Sequence, residues 1–238
     1  MKHNPFQGDV AQYYDAWFST PVGQYVEQVE NDLLFRMIGN VEGKAILDVG
    51  CGTGNHLIAL CQRGAGLCVG IDRSGDMLQV FRKKLASNQP FIVRADAAHL
   101  PFRHNCFDLC FSVTVLEFLS KPGKAIAEMY RVSRGRIILA VLNRLAISAF
   151  FRKLESRFKP TPFRNARFLD IFQLKNLMSS RIPDSRIRWQ TTLAFFPLFS
   201  SRFQGLLKRI DAKISHSRFP FGAFLVMAAR WPAPNETS

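Results

Sequence analysis

A short segment at residues 46–54 combines an acid with closely spaced glycines, and such a segment can hold a charged small molecule. An apolar run ends in Asp48, and Gly50, Gly52 and Gly54 follow at every second position. Glycines let a ligand approach the backbone closely because they carry no side chain. The stretch beyond them is typical of a helix start, whose first N–H groups are unpaired. An acid here would repel a pyrophosphate, so the segment favours a cation such as a sulfonium or an ammonium.

The spacing of the glycines excludes two common nucleotide-binding motifs. The dinucleotide fingerprint requires glycines at the first, third and sixth positions, but Asn55 occupies the sixth position counted from Gly50. A phosphate-binding P-loop would end in Gly-Lys followed by Ser or Thr, and no such triplet follows. A glycine-rich turn in some other α/β protein is the alternative explanation for this segment taken alone.

The arrangement Asp-x-Gly-x-Gly-x-Gly closely resembles motif I of the class I S-adenosylmethionine-dependent methyltransferases. The resemblance implies that the glycine loop packs against the methionine part of S-adenosyl-L-methionine and that Asp48 helps to hold its amino group. Other positions agree in order and spacing. Asp72 ends the next apolar run and would bind the ribose hydroxyls, while Asp96 and Ala97 would bind the adenine. The resemblance covers residues 10–145 well and the rest loosely.

The resemblance draws cofactor-binding residues from several parts of the chain. Val113 and Thr114 would close over the cofactor after the fourth strand. Tyr14 is similar to a tyrosine that leans over the cofactor or the substrate in many small-molecule methyltransferases, although packing on the core would also explain it. The predicted cofactor-binding residues are Tyr14, Asp48, Gly50, Cys51, Gly52, Gly54, Asp72, Arg73, Met77, Asp96, Ala97, Val113 and Thr114.

Methyl transfer from a sulfonium needs positioning more than an elaborate set of catalytic groups, because the methyl is already electrophilic. An acceptor hydroxyl or activated carbon would still require a base. Glu117 is the first choice for this catalytic role, since it follows the fourth predicted strand near the predicted methyl. The other candidates are Tyr14, His56, His99 and His104.

Alternating apolar runs and helical segments indicate the elements that position these residues. Strands are predicted near residues 45–50, 67–71, 91–94, 107–113 and 136–142, and helices near residues 55–63, 75–86 and 122–132. This alternation predicts an α/β fold with a Rossmann-like, seven-stranded, mostly parallel sheet and helices on both faces. The last two strands are expected at residues 186–197 and 223–230, and the resemblance implies that the last strand is antiparallel.

The predicted organisation has five parts. They are an N-terminal helical cap (1–45), an S-adenosylmethionine-binding core (46–143), a basic helical lid or insertion after the fifth strand (144–185), the last two strands of the core (186–231) and a tail (232–238). Thr20 and Pro21 are typical of a helix start within the cap. The lid is expected to recognise substrate and to contain helices near residues 145–158 and 169–178; a solvated basic face over ordinary apolar packing is the alternative.

The net charge of +14 is unevenly distributed. Residues 1–130 carry 12 basic and 13 acidic side chains, whereas residues 131–218 carry 19 basic and 4 acidic ones. Such an asymmetry points to an anionic partner. We interpret the protein as a methyltransferase for a small, apolar or anionic metabolite, similar to the group that includes the ubiquinone/menaquinone-biosynthesis methyltransferases. Quinone precursors, lipids and aromatic acids are the acceptor classes considered.

Two other functions fit the basic segment. An RNA methyltransferase could grip phosphates with it, but no Asn-Pro-Pro-Tyr-like motif follows the fourth strand, so nucleic acid is the less favoured partner. A non-catalytic protein of the same fold could dock on an anionic membrane surface through the basic amphipathic stretch at residues 145–158.

Cysteine usage and the N-terminal residues favour a cytoplasmic protein, with peripheral membrane association as an option. The five cysteines include no Cys-x-x-Cys pair, and we expect them to be reduced core residues. The first residues lack the apolar stretch of a secretory signal, and no run approaches the ~18 apolar residues of a membrane-spanning helix. No metal site is predicted.

Overall fold

The computed structural model describes residues 5–85, 90–146, 162–194 and 219–232. Two helices come first, α1 (Asp9–Phe18) and α2 (Pro21–Ile38). The Thr20 hydroxyl accepts a hydrogen bond from the Gly23 N–H at 3.0 Å, and Pro21 is the first residue of α2. Both features stabilise a helix start, so the predicted boundary between the two helices is confirmed.

Strands and helices then alternate. In chain order they are β1 (Ala45–Val49), α3 (Asn55–Gln62), β2 (Leu67–Asp72), α4 (Gly75–Lys83), β3 (Phe91–Arg94), β4 (Leu109–Val113), a 3₁₀ helix (Leu116–Phe118), α5 (Pro122–Val132) and β5 (Arg136–Leu142). The second part of the chain adds a 3₁₀ turn (Pro162–Asn165), α6 (Ile171–Ser179), β6 (Arg186–Thr192) and β7 (Phe224–Arg230).

The seven strands form one sheet in the order β3-β2-β1-β4-β5-β7-β6. The first five strands in this order, β3, β2, β1, β4 and β5, pair in parallel. Strand β7 runs antiparallel to both of its neighbours, β5 and β6. The predicted seven-stranded Rossmann-like fold with an antiparallel last strand is therefore confirmed. The neighbours of β1 in the sheet are β2 on one side and β4 on the other, so the strand order reverses at β1. Ligands of open α/β sheets bind at the carboxyl ends of the strands at such a point.

Helices cover both faces of the sheet because the strands are apolar on both sides. On one face, α2 and α3 contribute the fully buried Leu34 and Leu57. On the other, α5 and α6 contribute the fully buried Met129 and Leu174. Burying side chains of this size stabilises the fold by roughly 1.5–3 kcal/mol each relative to exposing them. Among the described residues, no helix is long and apolar enough to cross a membrane.

Polar contacts close the end of the sheet where β5 meets the chain that enters β7. The buried Asn143 side chain donates to the Pro220 carbonyl at 2.7 Å and to the Gly222 carbonyl at 2.8 Å. At the start of α6, the Asp170 carboxylate accepts from the Gln173 N–H at 2.8 Å, and the Gln173 side chain accepts from the Asp170 N–H. This capping box starts the second helix predicted in the insertion.

Two details differ from the sequence prediction, and one lies beyond what the structure describes. Cys61 and Cys68 form a disulfide, with Cα atoms 6.3 Å apart, because the end of α3 lies beside the start of β2; the expectation of five reduced cysteines is wrong for this pair. Strand β6 ends at Thr192, short of residue 197. The helix predicted near residues 145–158 falls almost entirely outside the described residues, and the predicted domain boundaries stay a prediction.

Candidate functional site

A cavity of about 770 Å³ opens at the carboxyl ends of the central strands. It is bordered by the ends of β1, β2 and β4, by the loop after β3 and by the N-terminal helices. The structure brings together here all of the predicted cofactor residues except Gly54. Those that line the cavity are Tyr14, Asp48, Gly50, Cys51, Gly52, Asp72, Arg73, Met77, Asp96, Ala97, Val113 and Thr114.

The glycine loop forms one wall of the cavity. The N–H groups of Gly50 and Cys51 both donate to the Ile71 carbonyl, at 2.7 and 2.8 Å, which fixes the loop on the end of β2. Gly52 has a φ of +53°, and a side chain added there would meet only the Met77 methyl at 4.0 Å. The space in front of Gly52 is the cavity itself, so the backbone at this position is open to a ligand.

Gly54 is placed differently from Gly50 and Gly52, and its predicted part in cofactor binding stays a prediction. It does not line the cavity but precedes the first residue of α3, with a φ of +82°. A Cβ atom on Gly54 would lie 2.2 Å from the ring of Phe81, a fully buried side chain of α4. The absence of a side chain at Gly54 therefore leaves room for the Phe81 ring beside the start of α3.

The Asp72 carboxylate is held by backbone amides. Its Oδ2 accepts from the Gly52 N–H at 2.9 Å, and its Oδ1 accepts from the Ser74 N–H at 2.7 Å. Burial raises the pKa of Asp72, and these amide hydrogen bonds oppose that effect. The side chain links the glycine loop to the start of α4 and presents its carboxylate to the cavity.

Asp48 lies at the bottom of the cavity and is only 2% exposed. Burial, with a further contribution from the negative charge of Asp72, raises the pKa of Asp48 well above its usual range. An ionised carboxylate in this position is poorly hydrated, and a cationic group beside it would relieve the cost. The electrostatics therefore favour a cationic ligand, as the sequence predicted.

The loops after β3 and β4 complete the cavity on its other side. The Asp96 Oδ1 accepts from the Ala98 N–H at 2.8 Å, which turns the chain so that Ala97 faces the cavity. Thr114 has a φ of +54°, an unusual conformation for a β-branched residue, and its N–H donates to the Ala140 carbonyl at 2.8 Å. Such strain is concentrated at ligand-binding sites.

Aromatic side chains cover the mouth of the cavity. Phe6 packs edge-on against Phe118, with ring centroids 4.9 Å apart, and against Tyr14 at 6.0 Å. Tyr14 in turn packs against Phe18 at 5.6 Å. Burial raises the pKa of Tyr14, and the charge of Glu30 raises it further, so the tyrosine is a neutral phenol at physiological pH.

The candidate bases are distributed unevenly. Glu117 does not line the cavity: its Oε1 accepts from the Leu142 N–H at 2.6 Å, and the side chain is 1% exposed. Its predicted role as a base therefore lacks a contact with the cavity. His104 is exposed and away from the site, whereas His56 and His99 line it. Burial lowers the pKa of His56 to about 4, so its imidazole is neutral at physiological pH.

Sequence reasoning missed several residues of the cavity. Glu27 and Glu30 on α2 and Lys121 and Lys124 around the start of α5 line it at different points. The signal for the two glutamates is their three-residue spacing on a predicted helix, which places them on one face. Phe6 carries no local signal, because it reaches the site only through the path of the chain before α1.

The chemistry of the described residues does not suggest a metal site. Within the described ranges, no group of three or more His, Cys, Asp and Glu side chains lies close enough together to hold a metal ion. The carboxylates of the cavity are instead spaced along separate strand ends, as for recognition of an extended organic molecule.

Comparison with known proteins shows what this fold and site are similar to. Residues 47–140 match the family described as "Methyltransferase domain". Demethylmenaquinone methyltransferase of Lactiplantibacillus plantarum is 37% identical over 104 residues, which cover 41% of this chain and 44% of that protein. Malonyl-[acyl-carrier protein] O-methyltransferase of Hamiltonella defensa is 36% identical over 107 residues, which cover 44% of this chain and 40% of that protein. The chain thus spans less than half the length of these relatives.

Solved structures share the fold over nearly the whole chain. An S-adenosylmethionine-dependent methyltransferase of Thermotoga maritima, described as a possible histamine N-methyltransferase, superimposes with a TM-score of 0.71 at 22% identity and covers 95% of this chain and 97% of its own. Magnesium protoporphyrin IX methyltransferase of Synechocystis, solved with S-adenosylhomocysteine, has a TM-score of 0.67 at 17% identity and covers 94% and 95%. The chain therefore shares the fold of these S-adenosylmethionine-dependent methyltransferases, and residues 47–140 carry the match to the methyltransferase domain.

Proposed function

We propose that this protein transfers the methyl group of S-adenosyl-L-methionine to a small-molecule acceptor. The observation that carries the proposal is the convergence of Asp48, Asp72 and Asp96 on one cavity beside the glycine loop. Asp72 would accept hydrogen bonds from the ribose hydroxyls, and Asp96 with Ala97 would contact the adenine. Asp48 and the open backbone at Gly52 would hold the methionine part, whose ammonium suits a buried carboxylate.

Methyl transfer requires the protein mainly to position the two reactants and to exclude water from the cavity. When bound, the cofactor supplies an electrophilic methyl group on a sulfonium. Holding an acceptor in line with that methyl replaces a bimolecular encounter by a positioned one. The rings of Phe6, Tyr14 and Phe118 would exclude water from the cavity and so strengthen the electrostatic contacts inside it.

A proton acceptor for the reaction is better sought at His56 than at Glu117. The His56 imidazole lines the cavity, which Glu117 does not, and this position is the reason to prefer it. Burial lowers the pKa of His56 to about 4, so the imidazole is unprotonated at physiological pH but is a weak base. The Glu117 carboxylate instead accepts from the backbone at the end of β5. We assign Glu117 to the support of that strand end and propose His56 as the residue to test first.

The acceptor itself is proposed to be a small apolar or anionic metabolite of the quinone-precursor, lipid or aromatic-acid class. Phe6, Phe18 and Phe118 provide apolar walls, and Lys121 with Lys124 provides positive charge at the rim. The relatives named above act, by their names, on demethylmenaquinone and on malonyl-[acyl-carrier protein]. Glu27 and Glu30 oppose an anionic group at the α2 end, so any acidic part of the acceptor should face the lysines.

Calorimetric titration of S-adenosyl-L-methionine tests the proposal. We expect saturable binding to the wild type and about 10- to 100-fold weaker binding to Asp72→Ala, since a hydrogen bond to a charged group contributes about 1.5–3 kcal/mol. Asp32→Ala is the matched control, because Asp32 is exposed on α2 outside the cavity. A wild type that releases no heat and gains no thermal stability from the cofactor would reject the function.

Peripheral association with an anionic membrane surface is a separate proposal. It is supported by the basic composition of residues 131–218. The proposed location is the cytoplasm, in part at the membrane surface. The same composition could serve an RNA substrate, which we regard as the less favoured partner because no RNA-specific motif follows β4.

A further inference from the structure

The chain before and within α1 crosses the mouth of the cavity, and we call residues 5–18 the strap. Near its beginning the strap is joined to the start of α4. The Ser74 hydroxyl donates to the Phe6 carbonyl at 2.6 Å, and the Gly8 N–H donates to the Asp76 carboxylate at 2.8 Å. Ser74 also donates its N–H to Asp72, so this end of the strap is in contact with the predicted ribose-binding acid.

The other end of the strap is joined to the glycine loop by a single side chain, Asp15. Its Oδ1 accepts from the Thr53 hydroxyl at 2.7 Å and from the Asn55 amide at 3.2 Å. Its Oδ2 accepts from the Lys84 ammonium at 2.7 Å. Lys84 also donates to the Asn55 side chain at 2.5 Å, which closes a network of four side chains.

This network connects three elements that are far apart in the sequence. Asp15 belongs to α1, Asn55 is the first residue of α3, and Lys84 follows α4. Thr53 is only 2% exposed and lies in the glycine loop, where it lines the cavity. A displacement of Asp15 would therefore remove hydrogen bonds from the glycine loop that lines the cavity.

Exposure and position indicate that Asp15 contributes more to the site than to the stability of the fold. The Asp15 and Lys84 side chains are 32% and 28% exposed, and ion pairs at such exposure contribute little to stability. The neighbouring residue, Tyr14, lines the cavity and packs against Phe6 and Phe18. Asp15 thus lies where it sets the position of the aromatic cover relative to the glycine loop.

We propose that Asp15 is a positioning residue that fastens the strap to the glycine loop through Thr53 and Asn55 and thereby closes the cavity over the bound cofactor. The inference rests on the proposed function, since the ligand under the strap is S-adenosyl-L-methionine. Without Asp15, the strap keeps its contacts at Ser74 and Asp76 but loses its hold on the loop. The cofactor then dissociates faster, because its cover opens more often.

The test compares Asp15→Ala with Asp9→Ala, a substitution of the same type on the same helix at an exposed residue outside the cavity. Calorimetry measures the cofactor Kd, amide hydrogen exchange measures opening of residues 5–18, and thermal unfolding measures stability. For Asp15→Ala we expect a cofactor Kd raised about tenfold, as for the loss of one hydrogen bond to a charged group. We also expect faster exchange confined to the strap and a melting temperature close to that of wild type. Asp9→Ala should match wild type in all three.

Three results would overturn the inference. The first is a cofactor Kd of Asp15→Ala equal to that of wild type, and the second is amide exchange in the strap that does not change. The third is a melting temperature that falls together with the cofactor affinity, as expected for a purely structural role. Exchange is measured without cofactor as well, so the strap is tested even if the wild type binds none. In that case the proposed function fails on its own, whereas normal wild-type binding with an unaffected Asp15→Ala variant rejects only the role of Asp15.

Discussion

At the scale of single residues, Asp48 shows how a site can be built at the expense of stability. Its carboxylate is buried beside a second acid, and both effects raise its pKa. A buried acid with a raised pKa stabilises the fold when protonated, below its unfolded-state value of about 3.9. That stability is lost as the pH rises through the raised pKa in the folded state. Ionisation of this side chain therefore costs folding free energy, and a bound cation would offset that cost.

Asp48→Asn should separate these two effects. The variant removes the ionisation, so we expect its melting temperature to exceed that of wild type at neutral pH and to approach it in acid. Each unit by which the pKa of Asp48 is raised corresponds to about 1.4 kcal/mol of unfolding free energy. Cofactor affinity should fall about tenfold or more at neutral pH, since the ammonium loses its counter-charge.

Thermal unfolding across pH and calorimetry with the cofactor measure the two changes. The exposed Asp32→Asn variant controls for loss of one negative charge. A variant that is less stable than wild type at neutral pH, or that binds the cofactor equally well, would contradict this account of Asp48.

Residue types and spacing were enough to predict most of the residues that meet at the cavity. Glycine spacing and an acid at each strand end are local signals, and β-strand ends meet at one edge of a parallel sheet, so Asp48, Asp72 and Asp96 could be brought together from the sequence. The contact of Glu117 with the end of β5 could not be predicted, because its partner Leu142 lies 25 residues away; its role as a base stays a prediction. The pairing of Asp15 with Lys84, 69 residues apart, has no signal in local spacing at all.

At the scale of elements, the glycine motif does two jobs. Gly52 keeps the backbone open to the cavity, while Gly54 leaves room for Phe81 where α3 meets α4. The predicted strands and helices agree closely with the observed ones because the apolar runs are continuous and their ends carry turn residues. The contact between Gly54 and Phe81 could not be predicted, because no local pattern pairs these two residues.

Gly54→Ala tests the packing role. We expect a loss of about 3 kcal/mol in unfolding free energy, because a left-handed φ costs about 1–2 kcal/mol for alanine and overpacking costs about 1–3 kcal/mol. Gly43→Ala is the matched control: its φ is also positive, at +68°, but nothing lies within 4 Å of the added Cβ. Gly43→Ala should lose only the unfolding free energy that comes from the left-handed backbone conformation, about 1–2 kcal/mol.

Urea unfolding measures both variants. Equal losses in Gly54→Ala and Gly43→Ala would show that the contact with Phe81 is not the reason for a glycine at position 54. A variant that keeps wild-type stability but loses cofactor binding would restore the direct role first predicted for Gly54.

At the scale of the whole molecule, charge is separated along the chain. The residues that build the cofactor cavity belong mainly to the nearly neutral part, 1–130, and the 19 basic side chains of residues 131–218 follow it. A charge of this kind acts over about 10 Å at moderate salt. It would draw the protein towards anionic surfaces without changing the chemistry of the cavity.

We therefore expect the protein to sediment with vesicles that contain phosphatidylglycerol and to be released as salt is raised. Vesicles of phosphatidylcholine alone are the control. Binding should not depend on the cofactor, because the cavity residues are distinct from the basic segment. No sedimentation with anionic vesicles at low salt, or complete displacement by a small amount of RNA, would reject a membrane surface as the preferred partner.

The position of β7 in the sheet has a consequence for how the protein is made. Strand β7, the last strand of the described residues, sits between β5 and β6 and is buried along almost its whole length. During synthesis, both neighbours emerge first and present open hydrogen-bonding edges until residues 224–230 arrive. A nascent chain that stalls before that point would expose the unpaired edges of both β5 and β6, and unpaired strand edges promote aggregation. Its exposure to aggregation should end abruptly when these seven residues are added.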